Sequence, residues 1–253
     1  MFDVIRIPAF KDNYIWLLRK GAAAAVVDPG DARPVLEVLE RESLTLASIL
    51  VTHHHADHQG GVAGLLARHP AEVFGPASES ITGITRPLSG GETIRLPALG
   101  VEFRVLAVPG HTLGHLAYHG SGCLFCGDTM FGAGCGRLFE GTPAQMYDSL
   151  MRLASMPDQT AVYCAHEYTE SNLRFAQTVE PGNGQLRQRV DEVRVARADG
   201  RATVPSTIAL EKATNPFLRC GEPEVIASVQ RRESKAGNAV EVFAVLREWK
   251  NRF

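Results

Sequence analysis

Four histidines fall within six residues of this chain, in Thr52-His53-His54-His55-Ala56-Asp57-His58, directly after the apolar run Ile49-Leu50-Val51. Such a run reads as a buried strand, so the cluster begins where a strand leaves its sheet. Side chains two apart on extended backbone share a side. His53 and His55 can therefore grip one cation while His54 points the other way, and Asp57 and His58, past a turn, face a neighbouring position. Imidazole and carboxylate are the ligand set of a borderline divalent metal such as zinc, and a catalytic site draws further ligands from elsewhere in the chain. The competing reading is a histidine-rich surface loop or a structural zinc site. The density, order and position of residues 53–58 weigh against it.

Three later residues suit the remaining positions, each at an expected strand end: His111 in Pro-Gly-His-Thr-Leu-Gly-His, Asp128 in Cys-Gly-Asp-Thr and His166 in Ala-His-Glu-Tyr. Placing His53, His55 and His111 on one metal, Asp57, His58 and His166 on another, and Asp128 between them gives two sites. A bridging carboxylate suits metals roughly 3.5–4 Å apart. Zinc is the expected metal, and iron and manganese tolerate the same ligands. His69 and His119 read as surface or loop residues, and His115 as a packing or supporting residue. Cys123 and Cys126 have zinc-ligand spacing without a second pair, so no metal or redox role is expected of them. An odd total of five cysteines fits reduced thiols better than a disulfide framework.

A chain of 253 residues suits one large domain with a smaller appendage. Hydrophobic residues at 45% and charged residues at 21% argue against a disordered chain or a coiled coil. A net charge of −2 speaks against a nucleic-acid partner. The longest apolar run, residues 22–27, falls far short of the roughly 18–20 residues of a membrane span, so no membrane partner is expected either. At the start, MFDVIRIPAFKDNYIW spreads Asp3, Arg6, Lys11 and Asp12 where a secretory signal would be apolar, which implies a cytoplasmic protein.

The first two-thirds alternates β-rich runs (FDVIRI, YIWLL, AAVVD, LASILVT, VEFRVLAV, CLFC) with helical patterns, as a sheet covered by helices would. Helices are expected over residues 34–42 and 143–156. The second opens with a Thr142 N-cap, Pro143 at the first helical position and Gln145 completing a capping box. Beyond Thr169 helical periodicity takes over, with Leu186, Val190 and Val193 on one helix and Val240, Phe243 and Leu246 on the last. Residues 199–215 read as an irregular connection over the first domain. The expected domains are a catalytic one over residues 1–169 and a helical, substrate-binding one over 170–253.

With these residues in place, the chain resembles the metallo-β-lactamase superfamily through His-x-His-x-Asp-His at 53–58. More narrowly, it is similar to the glyoxalase II family of hydroxyacylglutathione hydrolases. The narrower likeness spans nearly the whole chain: Ile7-Pro8-Ala9-Phe10 with Asp12-Asn13-Tyr14, Cys135-Gly136-Arg137-Leu138-Phe139-Glu140-Gly141, Cys164-Ala165-His166-Glu167-Tyr168-Thr169, Thr214-Asn215-Pro216-Phe217 and the closing Arg247-Glu248-Trp249-Lys250-Asn251-Arg252-Phe253. The resemblance implies an α+β, four-layer αβ/βα sandwich with a C-terminal helical domain, and two divalent metal ions per chain. It also implies hydrolysis of S-(2-hydroxyacyl)glutathione, typically S-D-lactoylglutathione, by a monomer whose partner is that small-molecule thioester. Glutathione would be held by Arg137, Phe139, Tyr168, Arg247 and Lys250, with His166 counted at both metal and substrate. Asp57 and Asp128 would carry the catalytic roles. Arg137 stands where lysine is frequent, and Phe139 where tyrosine is frequent, so a hydroxyl contact is lost.

Thioester hydrolysis suits such a site, because water shared by two cations loses a proton near neutral pH and no Ser-His-Asp arrangement is required. The thiolate leaves readily, an ordinary thiol having a pKa of about 8.5–9. Residues 230–253 hold Arg231, Arg232, Lys235, Arg247, Lys250 and Arg252 against Glu233, Glu241 and Glu248, a local basic excess that suits an anionic tripeptide. Three other readings stay open at this point: a one-iron persulfide dioxygenase of the same superfamily, a β-lactamase, which would need a secretory signal, and a metal-binding module without activity.

Overall fold

The computed structural model describes residues 2–233 and 236–253, so Lys235 of the basic stretch lies outside the described residues. They divide into two units, Met1–Ala107 with Gly114–Gly127, and Val108–Leu113 with Asp128–Phe253.

In the first unit, β1 (Asp3–Ala9), β2 (Asn13–Lys20) and β3 (Ala23–Val27) form an antiparallel meander. From β3 the sheet continues in parallel through β4 (Thr45–Leu50), β5 (Glu72–Pro76) and β6 (Arg86–Leu88). Parallel neighbours need crossovers. Helix α1 (Ala32–Arg41) supplies the one between β3 and β4, and the short α2 (Ala56–Gln59) and α3 (Val62–Leu66) lie between β4 and β5. Helix α1 begins before the expected Pro34 because Asp31 caps it, accepting the Arg33 N–H at 2.9 Å. Ile7, Leu17, Val26 and Ile49 of the sheet bury against Val35, Leu39 and Val62 of the helices.

A second, antiparallel ladder of the same unit comprises β7 (Thr93–Leu96), β8 (Val101–Ala107), β9 (Leu116–Gly120) and β10 (Cys123–Gly127). His119, expected at the surface or in a loop, sits half-buried in β9 opposite Leu124. Strand β9 is tied to the end of β4: Tyr118 Oη donates to Val51 O at 2.7 Å and Leu116 N to Thr52 O at 2.8 Å.

The second unit holds a hairpin of β11 (Met130–Phe131) and β12 (Gly134–Cys135), and β13 (Ala161–Cys164) paired with β14 (Ser206–Thr207). Its helices among the described residues are α4 (Pro143–Ala154), α5 (Thr169–Val179), α6 (Gly184–Ala198), α7 (Ile208–Thr214), α8 (Pro223–Gln230) and α9 (Ala239–Asn251). The capping box on α4 is present as the sequence implies, and the helix ends two residues short of Met156. Residues 199–215 are not irregular throughout, since they contain α7. Its buried side chains include Glu211 and Thr214, which break an apolar stripe and are buried as hydrogen-bonding groups instead. On α9 the buried face is Val242, Phe243, Leu246 and Arg247, rotated away from Val240. None of the five cysteines is in a disulfide. Among the described residues no helix is long and apolar enough to cross a membrane.

Candidate metal centre and substrate cavity

Parallel pairing explains how the first unit prepares its donors. Val27 and Leu50 are register partners, so β3 and β4 release the chain at the same sheet edge, and Asp28 arrives beside Thr52. Asp28 holds φ 52°, a left-handed conformation that aspartate tolerates better than most residues. Its Oδ1 accepts the Thr52 N–H at 2.7 Å, while Oδ2 accepts the Thr52 hydroxyl at 2.8 Å and His58 Nδ1 at 3.0 Å. Having given its only proton to Asp28, the Thr52 hydroxyl accepts from His53 Nδ1 at 3.0 Å.

Those contacts set tautomers. A carboxylate and a committed hydroxyl can only accept, so His53 and His58 each carry a proton on Nδ1, the usual outer support of a metal-binding imidazole, whose neutral form then offers Nε2 to a cation. His53 Nε2 lies 3.0 Å from His55 Nδ1, and His58 Nε2 lies 3.6 Å from Asp57 Oδ2. The Asn13 amide fixes that Asp57 oxygen at 2.9 Å. His115 stacks on His53 with ring centroids 4.6 Å apart, a packing role. The His54 N–H is taken by Glu79 Oε2 at 2.7 Å. Gly30 permits the approach, since a Cβ there would run into the Asp57 carbonyl.

The second unit brings together His111, Asp128 and His166. His111 Nδ1 donates to the Arg137 carbonyl at 2.9 Å, leaving its Nε2 lone pair 3.4 Å from Asp128 Oδ2. The other carboxylate oxygen, Oδ1, lies 3.4 Å from His166 Nε2. Asp128 thus stands between two histidines. Where neutral imidazole lone pairs and carboxylate oxygens converge at these distances, a divalent cation fits the donor set.

A cavity of about 530 Å³ in this unit is lined by His111 and Asp128 and also by Arg137, Phe139, Tyr168, Arg247 and Lys250. Phe139 is 63% exposed and edge-on to His111 at 5.2 Å, and Tyr168 stacks on His166 at 4.7 Å. Arg247 is buried at 5% exposure, giving Nη1 to Cys135 O at 2.8 Å, with its guanidinium over Phe217. Lys250 Nζ reaches Ser171 O at 3.3 Å. Burial, then the charges of Arg247, Arg174 and Arg137, pushes its ammonium down to about 8. Ser171, Asn172, Asn251 and Phe253 also line the cavity and were not singled out from sequence. Asp28 was missed as well; its one signal was an Asp ending the run AAVVD before Pro29-Gly30.

Comparison with known proteins agrees with this geometry in two steps. Residues 10–166 match the metallo-β-lactamase superfamily, whose fold with this histidine and aspartate set implies divalent metals. Among solved structures, ETHE1 from Myxococcus xanthus aligns over 99% of this chain and 98% of its own, at 26% identity and a TM-score of 0.66. TTHA1623, solved in a di-iron-bound form, aligns over 85% and 100% at 26% identity and 0.60. Residues 167–253 match the hydroxyacylglutathione hydrolase C-terminus. The hydroxyacylglutathione hydrolase of Dechloromonas aromatica is 57% identical over the full length of both chains. The chain belongs to the hydroxyacylglutathione hydrolase family, with an α+β metallo-β-lactamase sandwich.

Proposed function

We propose that the chain hydrolyses S-(2-hydroxyacyl)glutathione, typically S-D-lactoylglutathione, to glutathione and the 2-hydroxy acid, in the second step of methylglyoxal detoxification. One observation carries the reading: His111 and Asp128 share a cavity with Arg137, Arg247 and Lys250, so candidate metal ligands and cations suited to an anionic tripeptide face the same space. His53, His55 and His111 would hold one metal and Asp57, His58 and His166 the other, with Asp128 bridging, zinc being the first choice. When bound, such a pair supplies a deprotonated water and a Lewis-acid contact for the acyl oxygen.

The chain's own residues do the rest. Asp57, held by Asn13, orients the attacking water. Arg247 and Lys250 bind substrate carboxylates, Arg137 adds a third cation, and the Phe139 and Tyr168 rings flank the thioester. The glutathione sulfur departs as a thiolate. We place the protein in the cytoplasm as a monomer, with no nucleic acid or membrane partner, and draw the functional boundary between residues 169 and 170. The test is turnover of S-D-lactoylglutathione and metal stoichiometry on one sample, with two metals per chain and free thiol release expected. A single metal with oxygen consumption, or no thiol release from the metal-loaded protein, overturns the assignment.

A further inference from the structure

Glu211 on α7 is wholly buried, and its carboxylate is shared among three donors. Oε1 takes Arg189 Nη2 at 2.6 Å, while Oε2 takes the Ala133 N–H at 2.8 Å and the Asn215 amide at 3.1 Å. Arg189, also buried, gives Nη1 to Thr214 Oγ1 at 2.6 Å. The Asn215 amide reaches on to Phe131 O at 3.3 Å and Gly134 O at 2.9 Å, and from α5 Asn172 donates to Gly132 O at 3.0 Å. The β11–β12 hairpin is thus suspended by its backbone from buried side chains. Ala133 at its tip has φ 52°, a conformation that a residue with a Cβ adopts at some cost, and the Glu211 carboxylate captures its N–H there.

A buried ion pair contributes little net stability, because desolvation offsets much of the attraction. Direction is what it adds over apolar packing, since each hydrogen bond specifies where the hairpin backbone must lie. That direction leads to the candidate site. Phe131 sets its ring edge-on to His166, centroids 5.8 Å apart at 88°, and to Tyr168, 5.3 Å apart at 81°. Glu211, Arg189 and Asn215 are not among the side chains lining the cavity, whereas Phe131 is.

We propose that Glu211, with Arg189 and Asn215, is a positioning residue for the thioesterase: it fixes the hairpin, the hairpin fixes Phe131, and Phe131 orients His166 and Tyr168. The proposal rests on the functional reading above and touches no reacting atom. Loss of a supporting contact behind a metal ligand typically costs about 10–100-fold in metal affinity or activity. Glu211→Gln and Phe131→Leu should each lower kcat by about 10-fold or more and reduce bound metal, and the double variant should be no worse than the poorer single. Asn215→Ser serves in the same cycle if Glu211→Gln does not fold. Lys212→Ala, an exposed change on the same helix, should leave both readouts unchanged.

Additive losses, or a lowered Tm with kcat and metal content intact, would overturn the positioning role, as would a Phe131→Leu variant indistinguishable from wild type. Metal content keeps the two readings separable. Coupled metal loss in a protein with no thioesterase turnover would sink the functional assignment and retain the positioning role.

Discussion

The histidine-rich turn at residues 53–58 and the cavity wall at residues 128–139 hold their donors by different means. The turn is supported from adjoining strand ends: Asp28 holds Thr52 and His58, and Asn13 holds Asp57. The wall is supported from helices far along the chain, Ala133 by Glu211 at a separation of 78 residues and Cys135 by Arg247 at 112. Sheet pairing delivers the first set of contacts as a by-product of the core. The second set depends on helices that meet the hairpin only once the second unit has folded. Damage to the turn should therefore register in metal content, and damage to the wall in substrate recognition as well.

Asp128→Ala should break the comparison most severely, because that carboxylate lies against both His111 and His166. Turnover should nearly vanish and bound metal should fall; two metals per chain with normal activity would refute the bridging assignment. Next in size, Asp28→Asn exchanges one carboxylate oxygen for an amide donor, so the side chain can no longer accept from the Thr52 N–H, the Thr52 hydroxyl and His58 Nδ1 together, and should lower metal affinity by about 10–100-fold. A metal titration checks it, and unchanged affinity would mean the strand-end support is dispensable.

On the wall, Lys250→Ala should raise KM for the glutathione thioester by roughly 10-fold with kcat and metal content nearly unchanged, the pattern of an interaction made equally in substrate and transition state. Arg247→Ala should add a fall in Tm, since Cys135 O and the Phe217 face lose their partner. Equal effects of the two variants on Tm would contradict the structural share given to Arg247.

A pH profile sharpens the same point. Lys250 has its ammonium lowered from 10.5 to about 8 by burial and then by neighbouring arginines, so kcat/KM should decline as pH rises through about 8. Stability runs the other way. The unfolded lysine holds its proton up to 10.5, so between about 8 and 10.5 the unfolded state binds more protons and this group makes the fold more stable as pH rises. In Lys250→Arg the alkaline decline should disappear. The smallest effect is expected at His54→Ala, which should leave metal content largely intact where His55→Ala depletes it. Equal depletion would mean that alternation along the turn does not select the ligands.

The strands around the candidate site, the cap of α4 and the clustering of candidate donors at residues 53–58 were legible because each is written in neighbouring residues. Apolar alternation, a Thr-Pro-x-Gln start and imidazoles two apart need no knowledge of the rest of the chain. Helix α7 was not legible, since its buried face carries Glu211 and Thr214, whose suitability for burial depends on Arg189 of α6. Arg247 and Lys250 both line the cavity as their spacing of three allows, yet only folding buries one guanidinium edge on Cys135 O and lowers the Lys250 pKa, by burial first and by three arginine charges second. The sequence by itself determined which side chains could bind a cation or a carboxylate, because donor chemistry belongs to the residue. Tertiary structure alone decided which nitrogen of His53, His58 and His111 keeps its proton, because that choice belongs to the acceptor across the hydrogen bond: parallel pairing brings Asp28 to His58 and commits the neighbouring Thr52 hydroxyl to accept from His53, and a distant loop brings the Arg137 carbonyl to His111.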